Sequence, residues 1–124
     1  MSAKIFMAVR ILLGVFVLVF GLNKFLHFLP DFELNEAGQN YFGALVASHT
    51  MTMVALVEIV AGLALVFNKW GSLMTLILMS VSVCAVLFHA TLDPANIGGA
   101  LVLLVLNIVT LLGYKDRYAD ILRA

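Results

Sequence analysis

Long apolar segments separated by short polar joints form the main pattern of this chain. The first segment ends before Pro30, a residue that cannot continue a helix. Each segment is close to the roughly 20 apolar residues that a helix needs to cross a bilayer. The pattern predicts a single domain over residues 1–124 with four membrane-spanning helices, at about residues 5–29, 50–67, 72–92 and 97–114.

The apolar segment that follows the polar stretch at residues 30–40 is too long for one span. It extends to Phe67, and the polar residues 48–50 divide it. We therefore expect a short interfacial helix at residues 41–47 before the second span. A tight turn at residues 68–71 should follow, with Trp70 at the membrane surface and Gly71 ending the helix. The fold predicted is all-α: a four-helix transmembrane bundle with an interfacial helix between spans one and two.

Composition agrees with lipid as the solvent of the chain. Of its 124 residues, 64% are hydrophobic and 11% are charged, against about 45–50% and about 25% in soluble domains. Seven basic and seven acidic residues give a net charge of zero. This balance provides no basic face, so nucleic-acid binding is excluded.

The loop charges predict the orientation of the bundle. Basic residues accumulate on the cytoplasmic side of membrane proteins. In a four-span arrangement the basic residues fall at one end and the acidic loop residues at the other. Both termini are therefore expected to be cytoplasmic. The basic set is Lys4, Lys69, Lys115, Arg117 and Arg123, and the acidic set is Asp31, Glu33, Glu36 and Asp93.

Each predicted span has one face of polar and small residues. Small residues allow close packing of helices in lipid, and polar side chains bond across such interfaces, so the four faces should meet inside the bundle. We expect Ser82 and Asn107 to bond between helices and Arg10 to extend to the cytoplasmic headgroups. The faces include Gly14, Gly21 and Lys24; Glu58 and Gly62; Ser82 and His89; and Asn107 and Thr110.

The candidate binding site consists of titratable residues that lipid should exclude. Lys24, Glu58 and His89 fall about 5 to 10 Å from the outer ends of their spans, with Asn23 and His27 on the turns next to Lys24. An ionised side chain near the bilayer centre costs about 2.5–3.5 kcal/mol, so Glu58 should pair with Lys24. Such a pair either contributes to a ligand site or only fixes the helix register.

Several kinds of catalytic site are missing from the sequence. Cys84 is the sole cysteine, so no dithiol relay can form within the chain, and we expect it to be a small buried apolar residue. The sequence contains no phosphate-binding loop, no nucleophile elbow and no metal-ligand pattern. No metal or intrinsic cofactor is expected, and whether the chain is catalytic stays open.

Four stretches of the chain together resemble the DoxX family of small bacterial membrane proteins. They are RILLGVFVLVFGLNKFLHF, VEIVAGLALVFNKWG, LFHATLDP and YKDRY, and they span nearly the whole chain. The resemblance implies a four-helix protein of the bacterial cytoplasmic (inner) membrane. It also implies association with redox complexes, because named members include a subunit of thiosulfate:quinone oxidoreductase. The family-like positions are Gly21, Asn23, Lys24, Glu58, Gly62 and His89.

Three functions remain open at this point. The first is an accessory subunit that binds a quinone or another lipophile at Lys24, Glu58 and His89 and supports a redox partner protein. If the chain is part of an enzyme, it would be an oxidoreductase component. The second is a non-catalytic scaffold or assembly factor. The third is transport of a proton or small solute, which would require a homo-oligomer because four helices enclose little volume.

Overall fold

A computed structural model describes residues 1–31 and 33–124 and has the predicted all-α architecture. Four helices are long and apolar enough to cross a membrane. A shorter helix lies between the first two of them, as the sequence predicts. The helices are α1 (Ala3–Leu26), α2 (Glu36–Ala47), α3 (Thr50–Phe67), α4 (Gly71–Leu92), α5 (Ile97–Gly113) and α6 (Ala119–Leu122), with 3₁₀ turns at Pro94–Asn96 and Lys115–Tyr118.

Two helix boundaries differ from the prediction by three residues or more. Helix α1 ends at Leu26 instead of Leu29, since His27 takes a left-handed conformation with φ of 52°. Helix α2 begins at Glu36, five residues before the expected start, because the side chain of Asn35 accepts a hydrogen bond from the Gly38 amide at 2.8 Å. Asparagine is among the best N-cap residues.

The turn between α3 and α4 is short, but the role expected for Gly71 is wrong. Asn68 ends α3 in the left-handed conformation, and Gly71 is the first residue of α4. A Cβ atom at Gly71 would overlap the Tyr114 hydroxyl. Any other residue here would therefore require the tyrosine side chain to move.

Side-chain contacts show which chain segments share each end of the bundle. At one end, Phe6 packs edge-on against Tyr114, with ring centroids 4.9 Å apart, and the Tyr114 hydroxyl donates to Asn68 Oδ1 at 2.6 Å. The two terminal regions and the α3–α4 turn therefore meet there. At the other end, Asn35 Nδ2 donates to the Leu92 carbonyl oxygen at 2.8 Å, which joins the start of α2 to the end of α4.

The polar and small faces of the four spanning helices lie inside the bundle, as predicted. Glu58, Thr75 and Asn107 are buried among the apolar core side chains, while the large residues of the opposite faces are exposed. On α5 the predicted face residues Asn107 and Thr110 are both fully buried. The core between these faces is formed by Leu13, Val17, Leu65, Leu78 and Leu103.

Candidate functional site

The ion pair expected between α1 and α3 is present. Lys24 Nζ lies 2.6 Å from Glu58 Oε1. The Glu58 side chain is 4% exposed, whereas the Lys24 side chain is 25% exposed. The carboxylate is therefore enclosed by the bundle, while the lysine side chain is partly exposed.

Glycines bring the two helices that carry this pair into close contact. A Cβ atom at Gly21 would lie 3.0 Å from the Glu58 Cβ. One turn further along α3, a Cβ at Gly62 would lie 2.8 Å from the carbonyl oxygen of Gly14. Small residues let backbones approach in this way. The pair thus forms beside a close backbone contact of the α1–α3 interface.

Asn23 and His27, the two candidates next to Lys24, end helix α1. The Asn23 side chain accepts a hydrogen bond from the Leu29 amide at 2.7 Å, and its carbonyl oxygen accepts one from the His27 amide at 2.8 Å. His27 is exposed. These contacts fix the end of α1 close to Lys24, and ligand contact by either side chain stays a prediction.

His89, the remaining candidate, pairs with Asp93 at the end of α4. Its Nδ1 atom lies 3.0 Å from Asp93 Oδ2, and Asn96 donates to both carboxylate oxygens at 3.0 Å. Asp93 is 6% exposed. The sequence predicts Asp93 both as an acidic loop residue and on the same face of span three as His89, four positions earlier, which is the spacing at which helix side chains meet.

Arg10 does not extend to the headgroups as expected. It is 7% exposed, and its guanidinium donates hydrogen bonds to the main-chain oxygens of Leu65 and Val66. The last carbonyls of a helix lack intrahelical partners and must find others. Arg10 supplies hydrogen-bond donors to two of these carbonyls at the end of α3. A prediction that places an arginine near a helix end at the membrane surface misses this role.

The interhelical contact expected of Ser82 and Asn107 is confirmed. Ser82 Oγ donates to Asn107 Oδ1 at 2.5 Å, and Asn107 Nδ2 donates to the carbonyl oxygen of Thr75 at 3.1 Å. All three residues are fully buried. This network joins α4 to α5 and satisfies the amide, so it explains Asn107 without a ligand.

Cys84 is exposed on the outer face of α4, so its expected burial is wrong. It lines a small cavity of about 150 Å³ beside Tyr41 and Phe88, whose rings stack with centroids 5.1 Å apart. Among residues 1–31 and 33–124, no group of three or more His, Cys, Asp or Glu side chains could hold a metal ion.

A comparison with protein families gives one match. The family model of DoxX matches residues 5–91, which is more than half of the chain and includes α2, α3 and nearly all of α1 and α4. The matched region contains both residues of the ion pair, and His89. No curated protein and no solved structure matches the chain.

Proposed function

The chain belongs to the DoxX family, and from this premise we propose that it is an accessory subunit of a membrane redox system. In this role it binds a quinone or a similar lipophile and supports a redox partner protein. The Lys24–Glu58 pair is the feature of the structure that carries the proposal. Enclosing charged side chains in a bundle that lies in lipid costs free energy, so such side chains point to a functional site.

Lys24 has the properties of a group that binds a carbonyl oxygen. Its ammonium nitrogen lies 2.6 Å from Glu58 Oε1, and the side chain is 25% exposed, so an incoming ligand can approach it. The ammonium carries three N–H donors. In a surrounding of low dielectric constant, a hydrogen bond from an ammonium group is stronger than in water. A quinone carbonyl that reaches the bundle from the bilayer would gain this bond.

The other candidate residues carry groups that suit a quinone. A bound quinone would accept two electrons and two protons. Glu58 fixes the position of the Lys24 ammonium, and the His89–Asp93 pair, 3.0 Å apart, can hold or release a proton at the outer end of α4. The chain itself carries no motif for flavin or haem, so the electrons would come from the partner protein.

Quinone binding by the purified protein tests this proposal. Titration of a short-chain ubiquinone into detergent-solubilised protein should saturate in the wild type and weaken at least tenfold in Lys24→Met, because the charged donor is lost. Glu58→Gln should weaken binding less, since the ammonium remains. Lys4→Met is the matched control, because Lys4 is exposed near the start of the same helix. Unchanged affinity in folded Lys24→Met protein would refute the proposal.

The second candidate, a non-catalytic scaffold, is favoured by the tight glycine packing around the pair. In this case the pair serves only to fix the register of α1 against α3. A double variant Lys24→Met/Glu58→Leu separates the two functions. Each single change leaves one group uncompensated and should destabilise the bundle by about 3–5 kcal/mol, whereas the double variant should recover most of that stability. A scaffold would keep its cellular function in the double variant, and a quinone-binding subunit would lose it.

We also propose that the protein lies in the bacterial inner membrane with both termini in the cytoplasm. The bundle end that contains the termini and the α3–α4 turn carries Lys4, Lys69 and Lys115, which the bias of basic residues assigns to the cytoplasmic side. Alkaline phosphatase fused after Ala124 should be inactive, and green fluorescent protein at the same site should be fluorescent. Active phosphatase would show that the termini lie outside the cytoplasm, and it would leave the binding proposal unaffected.

A further inference from the structure

A groove on the outside of the bundle separates α3 from α4 near the turn that joins them. Its volume is about 700 Å³. Its walls are apolar, with Val60, Leu63 and Phe67 on the α3 side and Leu73 and Met74 on the α4 side. It is distinct from the Lys24–Glu58 pair, which lies on the opposite half of α3 and faces α1.

The groove runs along the helices over most of the depth of one leaflet. Val60 precedes Phe67 by two helical turns, a distance on the order of 10 Å along the helix axis. The hydrocarbon core of one leaflet is about 15 Å thick. The groove therefore extends from the membrane surface through about two thirds of a leaflet, parallel to the chains of the surrounding lipids.

Two polar-ended side chains, Lys69 and Trp70, line the open end of the groove. Among the described residues, no carboxylate forms an ion pair with Lys69. Trp70 is 75% exposed and has a φ of 58°, a conformation that bulky residues rarely adopt. Tryptophan and lysine at this depth are the residues that contact lipid headgroups.

We propose that this groove is a specific binding site for an anionic phospholipid of the adjoining leaflet. One acyl chain lies between α3 and α4, and the phosphate and its anionic headgroup contact the Lys69 ammonium beside the Trp70 indole. Charge complementarity selects the occupant, because an unpaired ammonium at the end of an apolar groove matches a phosphate joined to a hydrocarbon chain.

The single tryptophan of the chain reports directly on this site. The full-length protein is reconstituted in phosphatidylcholine bilayers that contain increasing fractions of a phospholipid brominated on its acyl chains. Brominated phosphatidylglycerol should quench Trp70 fluorescence at a mole fraction about fivefold lower than brominated phosphatidylcholine, the preference expected from one basic group. Equal quenching by the two lipids would overturn the proposal.

Substitutions distinguish a specific lipid-binding site from general attraction of anionic lipids to a basic surface. Lys69→Gln should abolish the preference, and Lys115→Gln, which changes an exposed lysine outside the groove, should retain it. Val60→Phe narrows the groove without altering charge and should also reduce the preference. Leu56→Phe, a lipid-exposed position one turn away that does not line the groove, should leave it intact. If the preference for the anionic lipid survives in Lys69→Gln, the proposal is wrong. It is also wrong if Val60→Phe leaves the preference as unchanged as Leu56→Phe does.

Discussion

The guanidinium of Arg10 donates to the main-chain carbonyl of Leu65 inside the bundle. The arginine lies on the order of 10 Å from the start of α1, and the carbonyl belongs to the last turn of α3. Water cannot satisfy a carbonyl in the hydrocarbon region, so a protein donor has to do so. Arginine is suited to this task because its planar group presents several fixed donors. A charge near the end of one helix thus stabilises the end of another.

Replacement of Arg10 should therefore destabilise the folded protein. In Arg10→Met the carbonyl oxygens of Leu65 and Val66 lose their donor, which should reduce the free energy of unfolding by about 1–3 kcal/mol. Arg10→Lys should have an intermediate effect, because an ammonium lacks the planar fork of donors. Unfolding in mixed micelles of mild detergent and dodecyl sulfate measures the change. If Arg10→Met is as stable as Lys4→Met, the hydrogen bonds contribute nothing to stability.

The sequence predicted the spans and the ion pair because both follow from simple periodicities. The end of α3 and nearly all of α4 fall at the expected residues, and Lys24 and Glu58 occupy the predicted faces. The error at Arg10 concerns a polar side chain whose partners are main-chain groups far along the chain. Arg10 bonds to residues 55 and 56 positions away, and no local pattern encodes that. Cys84 was misplaced for a different reason: small residues occur on lipid-facing as well as on buried helix faces.

The contact between Ser82 and Asn107 should have a measurable coupling energy. The two side chains lie 2.5 Å apart in the dry interior, and interhelical hydrogen bonds in membranes contribute about 0.6 kcal/mol, with a maximum near 1.7. A double-mutant cycle of Ser82→Ala and Asn107→Leu should give a coupling in this range. Ser80→Ala serves as the control, since the Ser80 hydroxyl is exposed and bonds within its own helix. A coupling of zero would show that the two groups act independently.

The stability of the protein should fall at high pH through Tyr118, which lies outside the spans and donates to the Ser72 carbonyl at 2.7 Å. Burial raises the pKa of this phenol from 10.0 to about 12. Since the folded protein holds the proton more tightly than the unfolded chain, this contribution is complete below pH 10 and is lost as the pH rises to about 12. Unfolding temperatures measured across that interval should fall more steeply for the wild type than for Tyr118→Phe.

Tyr41→Phe provides a matched control for this pH dependence. Tyr41 lies on α2 and is 39% exposed, and its replacement should preserve the steep wild-type profile. Identical profiles for the wild type and Tyr118→Phe would show that the phenol of Tyr118 does not contribute to the alkaline transition.

The close approach of α1 and α3 should make Gly62 intolerant of substitution. In Gly62→Ala the new Cβ would lie 2.7 Å from the Leu18 Cβ, so the helices must move apart, at a cost of about 1–3 kcal/mol. Because Glu58 lies one turn earlier on α3, the same movement should draw its carboxylate away from Lys24 and weaken quinone binding. Gly43→Ala is the matched control, since no atom lies within 4 Å of the new Cβ, and the change should stabilise α2 by up to about 1 kcal/mol. Equal stabilities for the two variants would show that the backbone contact between α1 and α3 is not required.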